Sequence, residues 1–302
     1  MENFLLLIVC MLLGIGLRIT GIVGENGPMT INAVIIHMSL PALAILYAHE
    51  LPLGVALILP AAMAWIVFGL GYLLFFHVLK GMKGMDRKTQ VCLALTAGLG
   101  NTSFVGLPMI ETFFGPEYLG VGMLCDTAGT FMALSIPGII LAAGVSGEKI
   151  SGAALARKVL LFPPLLSIVL GFALQPVAYP PWLVSILERM GGTLSPLALL
   201  SVGLTLRFGA IRGHARELLV GLGYKIVLAP LIIFILYIYV LDATDLVAKV
   251  TVFESAMAPM ITGGIIAMTY GARPSLAASM LGVGIPLSFL TLPLWYMLLM
   301  AV

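Results

Sequence analysis

The feature that most limits how this chain can fold is its succession of long apolar runs, separated by short polar clusters. The sequence is 61% hydrophobic and 9% charged, whereas a soluble domain is usually about 45–50% apolar and about 25% charged. Water cannot solvate a surface of that composition. Helices suit a bilayer because they satisfy their backbone groups internally. The sequence therefore predicts an all-α membrane protein.

Cutting the chain at its polar clusters gives ten predicted transmembrane helices, which we number as spans 1 to 10. About 20 helical residues are needed to cross about 30 Å of hydrocarbon. The predicted spans are 3–20, 29–48, 53–78, 90–113, 117–144, 159–178, 183–206, 216–240, 246–270 and 275–301.

The basic residues predict how the chain is oriented. Numbering the loops alternately places twelve of the fifteen Lys and Arg residues on one side, namely Arg18, Lys80, Lys83, Arg87, Lys88, Lys149, Arg157, Lys158, Arg207, Arg212, Arg216 and Arg273. The other side has Arg189 and Lys249, and Lys225 lies inside span 8. Because Lys and Arg in short loops stay cytoplasmic, we expect a multi-pass protein of the cell (inner) membrane with both termini outside.

The two halves of the chain resemble each other weakly. Pro41 in SLPALA matches Pro196 in LSPLAL, Pro108 matches Pro259, and Gly14 matches Gly171, at separations of 155, 151 and 157 residues. Five spans per half would make the second half inverted, as in many carriers. We predict a first repeat at 1–144, a cytoplasmic linker at 145–158 and an inverted repeat at 159–302. Chance similarity between leucine-rich helices is the alternative.

Spans 4 and 9 carry sequences that favour broken helices. Residues 98–108 (GLGNTSFVGLP) and 254–259 (ESAMAP) place glycine, polar residues and proline in the middle of apolar runs. Proline lacks an amide hydrogen and disrupts a helix, and freed backbone groups are tolerated in lipid only where protein or a cavity satisfies them. Paired broken helices point to the binding site of a carrier. Two simple proline kinks are the alternative.

The polar residues of these spans form the candidate site. The predicted substrate-binding residues are Asn101, Thr102, Ser103, Pro108, Ser255, Pro259 and Thr262. The predicted coupling residues are Asp126, Thr130, Glu254 and Lys225, with a proton or a sodium ion as the partner and the sodium near Asn101, Thr130 and Glu254. By helix rise, the charged ones lie near the midplane, where charge is costly and usually functional.

Two further points concern Lys225 and Glu111. Lys225 could instead extend its long stem to the membrane surface. Glu111 lies near the turn at Gly115 and Pro116 and is interpreted as a solvated outer residue.

Three motifs resemble the bacterial branch of the auxin efflux carrier family: residues 100–108, residues 125–129 (CDTAG) and residues 254–259. The resemblance implies two inverted five-helix repeats, with a scaffold of spans 1, 2, 6 and 7 and a mobile core of spans 3–5 and 8–10. It also implies that the discontinuous spans 4 and 9 cross at Pro108 and Pro259 and that substrate moves by an elevator mechanism. Bacterial members of the family carry malate, malonate and related acids, and plant relatives export auxin.

A more distant similarity extends to the bile acid sodium symporters, within a wider group of bile acid, arsenite and riboflavin transporters. In those symporters a glutamate just before the crossing of span 9 and polar residues of spans 4 and 5 bind sodium. Glu254, Asn101 and Thr130 occupy comparable places here. Lys225 and Asp126 depart from that pattern.

The sequence therefore predicts a secondary transporter of small organic anions by symport or uniport, embedded in lipid. No phosphate loop, catalytic motif or acidic metal motif occurs, so we expect no cofactor beyond a coupling H⁺ or Na⁺. The net charge of +2 gives no basic surface for nucleic acid. The resemblance implies a homodimer through the scaffold helices. The alternatives are an intramembrane enzyme that uses Asp126 and Glu254, and a receptor or subunit that does not transport.

Overall fold

The computed structural model describes residues 2–51, 54, 57–148, 150–206 and 213–302. Throughout these residues the regular structure is helical, and the one extended pairing is an isolated antiparallel bridge between Gly100 and Pro259. The prediction of an all-helical protein is therefore confirmed. Three basic residues used for the orientation, Lys149, Arg207 and Arg212, lie outside the described residues.

The α-helices of the described residues follow one another along the chain. They are α1 (Glu2–Ile19), α2 (Gly27–Val34), α3 (Leu40–Glu50), α4 (Ile58–Leu73), α5 (Arg87–Thr96), α6 (Leu107–Phe113), α7 (Leu119–Leu124), α8 (Ile139–Ser146), α9 (Gly152–Leu160), α10 (Pro163–Ala173), α11 (Pro181–Gly191), α12 (Leu194–Thr205), α13 (Ala215–Leu222), α14 (Ala229–Phe234), α15 (Leu246–Ser255), α16 (Ile261–Thr269) and α17 (Pro274–Met300).

Many of these helices are joined by wider π-helical turns. The π-helical segments are Ile35–Ser39, Leu74–Val78, Thr102–Gly106, Cys125–Phe131, Leu134–Gly138, Gly223–Leu228 and Ile235–Val240. Such turns are rare and often lie at functional sites. Two of them contain the charged residues Asp126 and Lys225.

Six helical stretches within the described residues are long and apolar enough to cross a membrane: Gly27–Glu50, Ile58–Val78, Pro116–Ser146, Pro181–Thr205, Ala215–Val240 and Pro274–Met300. A seventh results if α9 and α10, which meet at 51°, are one bent span. This pair begins inside the stretch predicted as a linker. Phe4–Ile19 is apolar but shorter. A multi-pass protein is thus supported, while the count of ten spans and the orientation stay predictions.

Spans 4 and 9 are broken in corresponding ways. Helix α5 begins after Asp86, whose side chain accepts a hydrogen bond from the Thr89 amide, and α15 begins after Asp245, which accepts one from the Ala248 amide. Both helices are 10 residues long, and they end at corresponding positions, Thr96 and Ser255. The sequence separation between these equivalent positions is 159 residues.

This separation corrects the predicted crossing. The sequence match paired Pro259 with Pro108, but the residue that pairs with Pro259 in the structure is Gly100. Pro108 instead is the second residue of α6, which follows directly on the π-helical segment Thr102–Gly106, so the span is not interrupted at this proline. The crossing at Pro108 is therefore wrong by eight positions, because the chain stays helical through this proline.

The chain separates into two compact units. Unit 1 comprises Met1–Val55, Ser103–Met123 and Arg157–Leu206, and unit 2 comprises Ala56–Thr102, Leu124–Ala156 and Arg207–Val302. Predicted spans 1, 2, 6 and 7 fall in unit 1, spans 3 and 8 to 10 fall in unit 2, and spans 4 and 5 are divided. The inverted repeats and the division into scaffold and core stay predictions.

Unit 1 is held together by close helix packing at small residues. Helix α1 packs on α12 where Gly14 lies against the backbone of Leu200 and Gly203, and α10 packs on α3 where Gly171 lies against Ala44 and Ala48. Lipid chains give helices little hydrophobic reason to associate, so contact depends on backbones that approach closely. These glycines allow that approach.

Unit 2 is held together by side chains that donate to carbonyls of neighbouring helices. The Trp65 indole donates to the Ala128 carbonyl at 3.1 Å, and the Trp295 indole donates to the Ile226 carbonyl at 3.0 Å. Both acceptors lie in π-helical segments. The Tyr237 hydroxyl likewise donates to the Leu59 carbonyl at 2.8 Å. These bonds link the helices that surround Lys225 and Asp126.

One end of unit 2 is fixed by a polar cluster around Asp86. The Arg273 Nε lies 2.9 Å from the Thr89 hydroxyl, to which it donates, and 3.8 Å from the Asp86 carboxylate. Burial alone would raise the pKa of Asp86, but hydrogen bonds from Thr89 and the charges of Arg273 and Lys88 outweigh it and hold the pKa below its usual value. The cluster joins the start of α5 to the residue that precedes α17.

We predict that Gly14→Ala destabilises the protein and that Gly16→Ala does not. A methyl group at residue 14 would clash with the Leu200 carbonyl, whereas one at residue 16 meets nothing within 4 Å. Overpacking of this kind costs about 1–3 kcal/mol. Thermal unfolding of the two variants, purified in the same detergent, measures the difference. Equal melting temperatures would contradict the packing of α1 on α12.

Candidate functional site

The candidate site in unit 2 is built on the two helix breaks. The backbone amide of Asn101 donates to the Ala258 carbonyl at 2.8 Å, and the amide of Met260 donates to the Thr96 carbonyl at 3.2 Å. Each interrupted helix thus satisfies backbone groups that the other has freed. This pairing explains how two breaks are tolerated in a membrane protein, because unpaired backbone groups in lipid cost several kcal/mol (about 2–7).

Lys225 lies against the end of α15. Its side chain is 1% exposed, and its Nζ donates to the Ser255 carbonyl at 2.9 Å. A Cβ atom at Gly100 would lie 3.1 Å from this Nζ, so the absence of a side chain there leaves room for the ammonium group. A cation at the C-terminal end of a helix is favoured by the helix dipole. The interpretation that Lys225 reaches the membrane surface is therefore wrong.

Glu254 lies one residue before that carbonyl and is fully buried, with 0% of the residue exposed. Within the described part of the chain, neither of its carboxyl oxygens has a hydrogen-bond partner. Its electrostatic neighbours are Asp126 and Lys225. A buried carboxylate without hydrogen bonds is costly, so this group needs a proton or a nearby positive charge.

Asp126 is the second buried carboxylate, with 5% of the residue exposed. Its Oδ1 accepts a hydrogen bond of 2.6 Å from the Thr102 hydroxyl, which ties its π-helical segment to the break in span 4. Thr130, in the same segment, is buried and donates to the Cys125 carbonyl at 3.2 Å. With both carboxylates ionised, Lys225, Glu254 and Asp126 are one positive charge short of neutrality.

The structure brings most of the predicted site residues into unit 2. These are Asn101, Thr102, Asp126, Thr130, Lys225, Glu254, Ser255, Pro259 and Thr262. Asn101, Ser255 and Pro259 are buried at the breaks, and the Ser255 hydroxyl donates to the Val252 carbonyl at 2.5 Å. Thr262 is half-buried in the first turn of α16.

Two predicted substrate-binding residues are placed elsewhere. Half-buried Ser103 and buried Pro108 belong to unit 1. Both follow the break at residues 97–101.

Sequence reasoning missed two features. One is the role of Gly100, which pairs with Pro259 and leaves space for Lys225. Three glycines within residues 98–106 indicated that the backbone is closely approached there, but no sequence rule tells which of them lies opposite the other break. The other feature is Glu111, which was interpreted as solvated.

Glu111 lines a small pocket of about 70 Å³ in unit 1, together with Tyr47 and Glu188. It accepts a hydrogen bond of 2.5 Å from the Ser195 hydroxyl. The remaining lining residues are Leu43, Leu119, Gly191, Gly192 and Leu194. Glu111 is therefore a partly buried residue between helices and not part of an outer turn.

Comparison with known proteins finds similarity to transporters. A family model described as "Membrane transport protein" matches residues 149–296. An uncharacterized transporter of Methanothermobacter thermautotrophicus is 28% identical over 301 residues, which cover 99% of this chain and 98% of that protein. An uncharacterized transporter of Methanocaldococcus jannaschii is 25% identical over 317 residues, covering 98% and 97% of the two chains.

We predict that Thr102→Val lowers the stability of unit 2. Valine keeps the shape of threonine but removes the hydroxyl that donates to Asp126. Hydrogen bonds to charged groups contribute about 1.5–3 kcal/mol. Thr269→Val is the matched control, because Thr269 is exposed and its hydroxyl donates only within its own helix, to the Ile265 carbonyl. Thermal unfolding that ranks the two variants equally would argue against a structural bond at Asp126.

Proposed function

We propose that this chain is a secondary active transporter of small organic anions, of the auxin efflux carrier type that its motifs resemble. The similarity of residues 149–296 to a membrane transport protein family and of the whole chain to two archaeal transporters supports this proposal. The family description and the full-length relatives name transporters and no enzyme. These names favour a transporter over the intramembrane enzyme that would use Asp126 and Glu254.

The observation that carries the substrate proposal is the paired interruption of α5 and α15, with backbone hydrogen bonds between the breaks. Helix α16 begins at the second break, and the first amides of a helix have no partner within it. Such amides and the helix dipole favour an anion. Thr262 in this first turn and Asn101 at the facing break would add hydrogen bonds. We therefore propose a carboxylate substrate such as malate, malonate or an auxin-like acid.

The proposal for coupling rests on charge. One ammonium and two carboxylates lie buried together, so binding of one monovalent cation would make the cluster neutral. A proton or a sodium ion fits this need. The carboxyl oxygens of Glu254, which have no hydrogen-bond partner among the described residues, would hold it.

The proposal for movement rests on the family. We propose an elevator mechanism of alternating access, in which the core carries the substrate with the buried charges. Its support in this chain is that the charged residues and both breaks belong to one compact unit. We further propose placement in the cell (inner) membrane with both termini outside, from the distribution of basic residues, and a homodimer through the scaffold helices.

We predict that Asn101→Ala and Glu254→Gln each lower uptake at least about tenfold. Asn101→Ala removes a buried polar group from the break, and Glu254→Gln replaces a buried carboxyl group by a neutral amide. One lost hydrogen bond of about 1.5–3 kcal/mol corresponds to about tenfold or more in affinity. Purified protein in liposomes would be tested with a panel of labelled mono- and dicarboxylates. Asn26→Ala and Glu50→Gln, at exposed positions, are the matched controls.

The assay requires that all variants elute from size exclusion as folded protein. Normal transport by both site variants would show that the breaks do not bind substrate. A wild-type protein that moves none of the acids in the panel would overturn the substrate class.

A further inference from the structure

We propose that the Lys225 ammonium is a built-in cation that fills the place of a coupling sodium ion at the end of α15. The wild-type protein then binds no Na⁺ at this position, and removing the lysine creates a Na⁺ site. This inference rests on the proposed function, because it takes the end of α15 to be the site of the coupling ion. It selects between the two coupling ions by excluding sodium.

The first argument is the position of the ammonium. Carriers hold Na⁺ with carbonyls freed at the C-terminal ends of interrupted helices. In this chain the Ser255 carbonyl, the last of α15, accepts instead from the Lys225 Nζ at 2.9 Å. An ammonium group and a Na⁺ ion are both monovalent and compete for the same oxygen. A Na⁺ ion bound to this oxygen would lie close to the ammonium group and be repelled by its charge.

The second argument is the absence of spare room. Lys225 is among the largest fully buried side chains of the described residues. Its Nζ would lie only 3.1 Å from a Cβ atom at residue 100, where glycine stands. The Gly100 backbone is itself held in the bridge to Pro259. A second cation beside the ammonium would need this backbone to move.

The third argument is the charge that surrounds Lys225. Glu254 on α15 interacts with it electrostatically, and Asp126 on the neighbouring π-helical segment interacts with Glu254. The adjacent Tyr224 uses its hydroxyl to donate to the Val67 carbonyl. Removing the lysine would free the Ser255 carbonyl and leave Glu254 without the charge of Lys225. Carbonyl and carboxyl oxygens are ligands suited to Na⁺.

The test compares wild type with Lys225→Ala in detergent, without substrate, in NaCl and in KCl of equal ionic strength. We expect wild type to melt at the same temperature in both salts. We expect the variant to melt about 5 °C higher in saturating NaCl and to bind radioactive sodium saturably. Lys225→Arg keeps the positive charge and should show no response to sodium. Combining Lys225→Ala with Glu254→Gln should abolish the response.

Three results would overturn the inference. One is a wild-type protein that sodium stabilises. The second is a Lys225→Ala protein that is equally stable, or equally misfolded, in the two salts. The third is a double variant that still responds to sodium. Recovery of folded Lys225→Ala protein in NaCl alone would support it.

Because these measurements need no substrate, they are independent of the proposed function. Failure of wild-type liposomes to move organic acids would leave the sodium result standing.

Discussion

The structure of this protein depends on one constraint of the membrane, which is that no backbone hydrogen-bonding group can stay unpaired in lipid. Two helices are interrupted in unit 2, and each break supplies the partners that the other lacks, through Asn101 with Ala258 and Met260 with Thr96. Glycine at residue 263 lets the two broken spans approach each other, because a side chain there would clash with the Leu95 carbonyl. Neither break is stable without the other.

The charges of the site depend on the same arrangement. The end of α15 presents carbonyl oxygens in a buried position, and the Lys225 ammonium donates a hydrogen bond to one of them. Glu254 and Asp126 are buried nearby, so each ionised group there depends on its neighbours for stability. A change in the number of bound cations would therefore act on the whole cluster. The proposed coupling rests on this dependence, because the same groups would interact with both substrate and cation.

The sequence predicted the parts of this site that rest on polarity and proline content. Glu254, Asp126 and Lys225 stand out because charged residues are rare in apolar spans, and they lie together in one unit. The location of the break in span 4 was predicted less well. Pro108 is the obvious helix breaker, yet it is the second residue of α6, which follows directly on a π-helical segment. The break lies earlier, at residues 97–101, among glycines whose roles depend on neighbours distant in sequence.

By itself the sequence determined the class of the protein, its helical content and the residues too polar to face lipid. These properties follow from hydrophobicity, which each residue carries wherever it lies. Only the tertiary structure decided that Gly100 meets Pro259, that Lys225 binds the Ser255 carbonyl and that Glu111 lies beside Ser195. Those pairings join residues up to 159 positions apart. They depend on which backbone segments approach closely enough to exchange hydrogen bonds, and the local sequence pattern does not predict the distance between such segments.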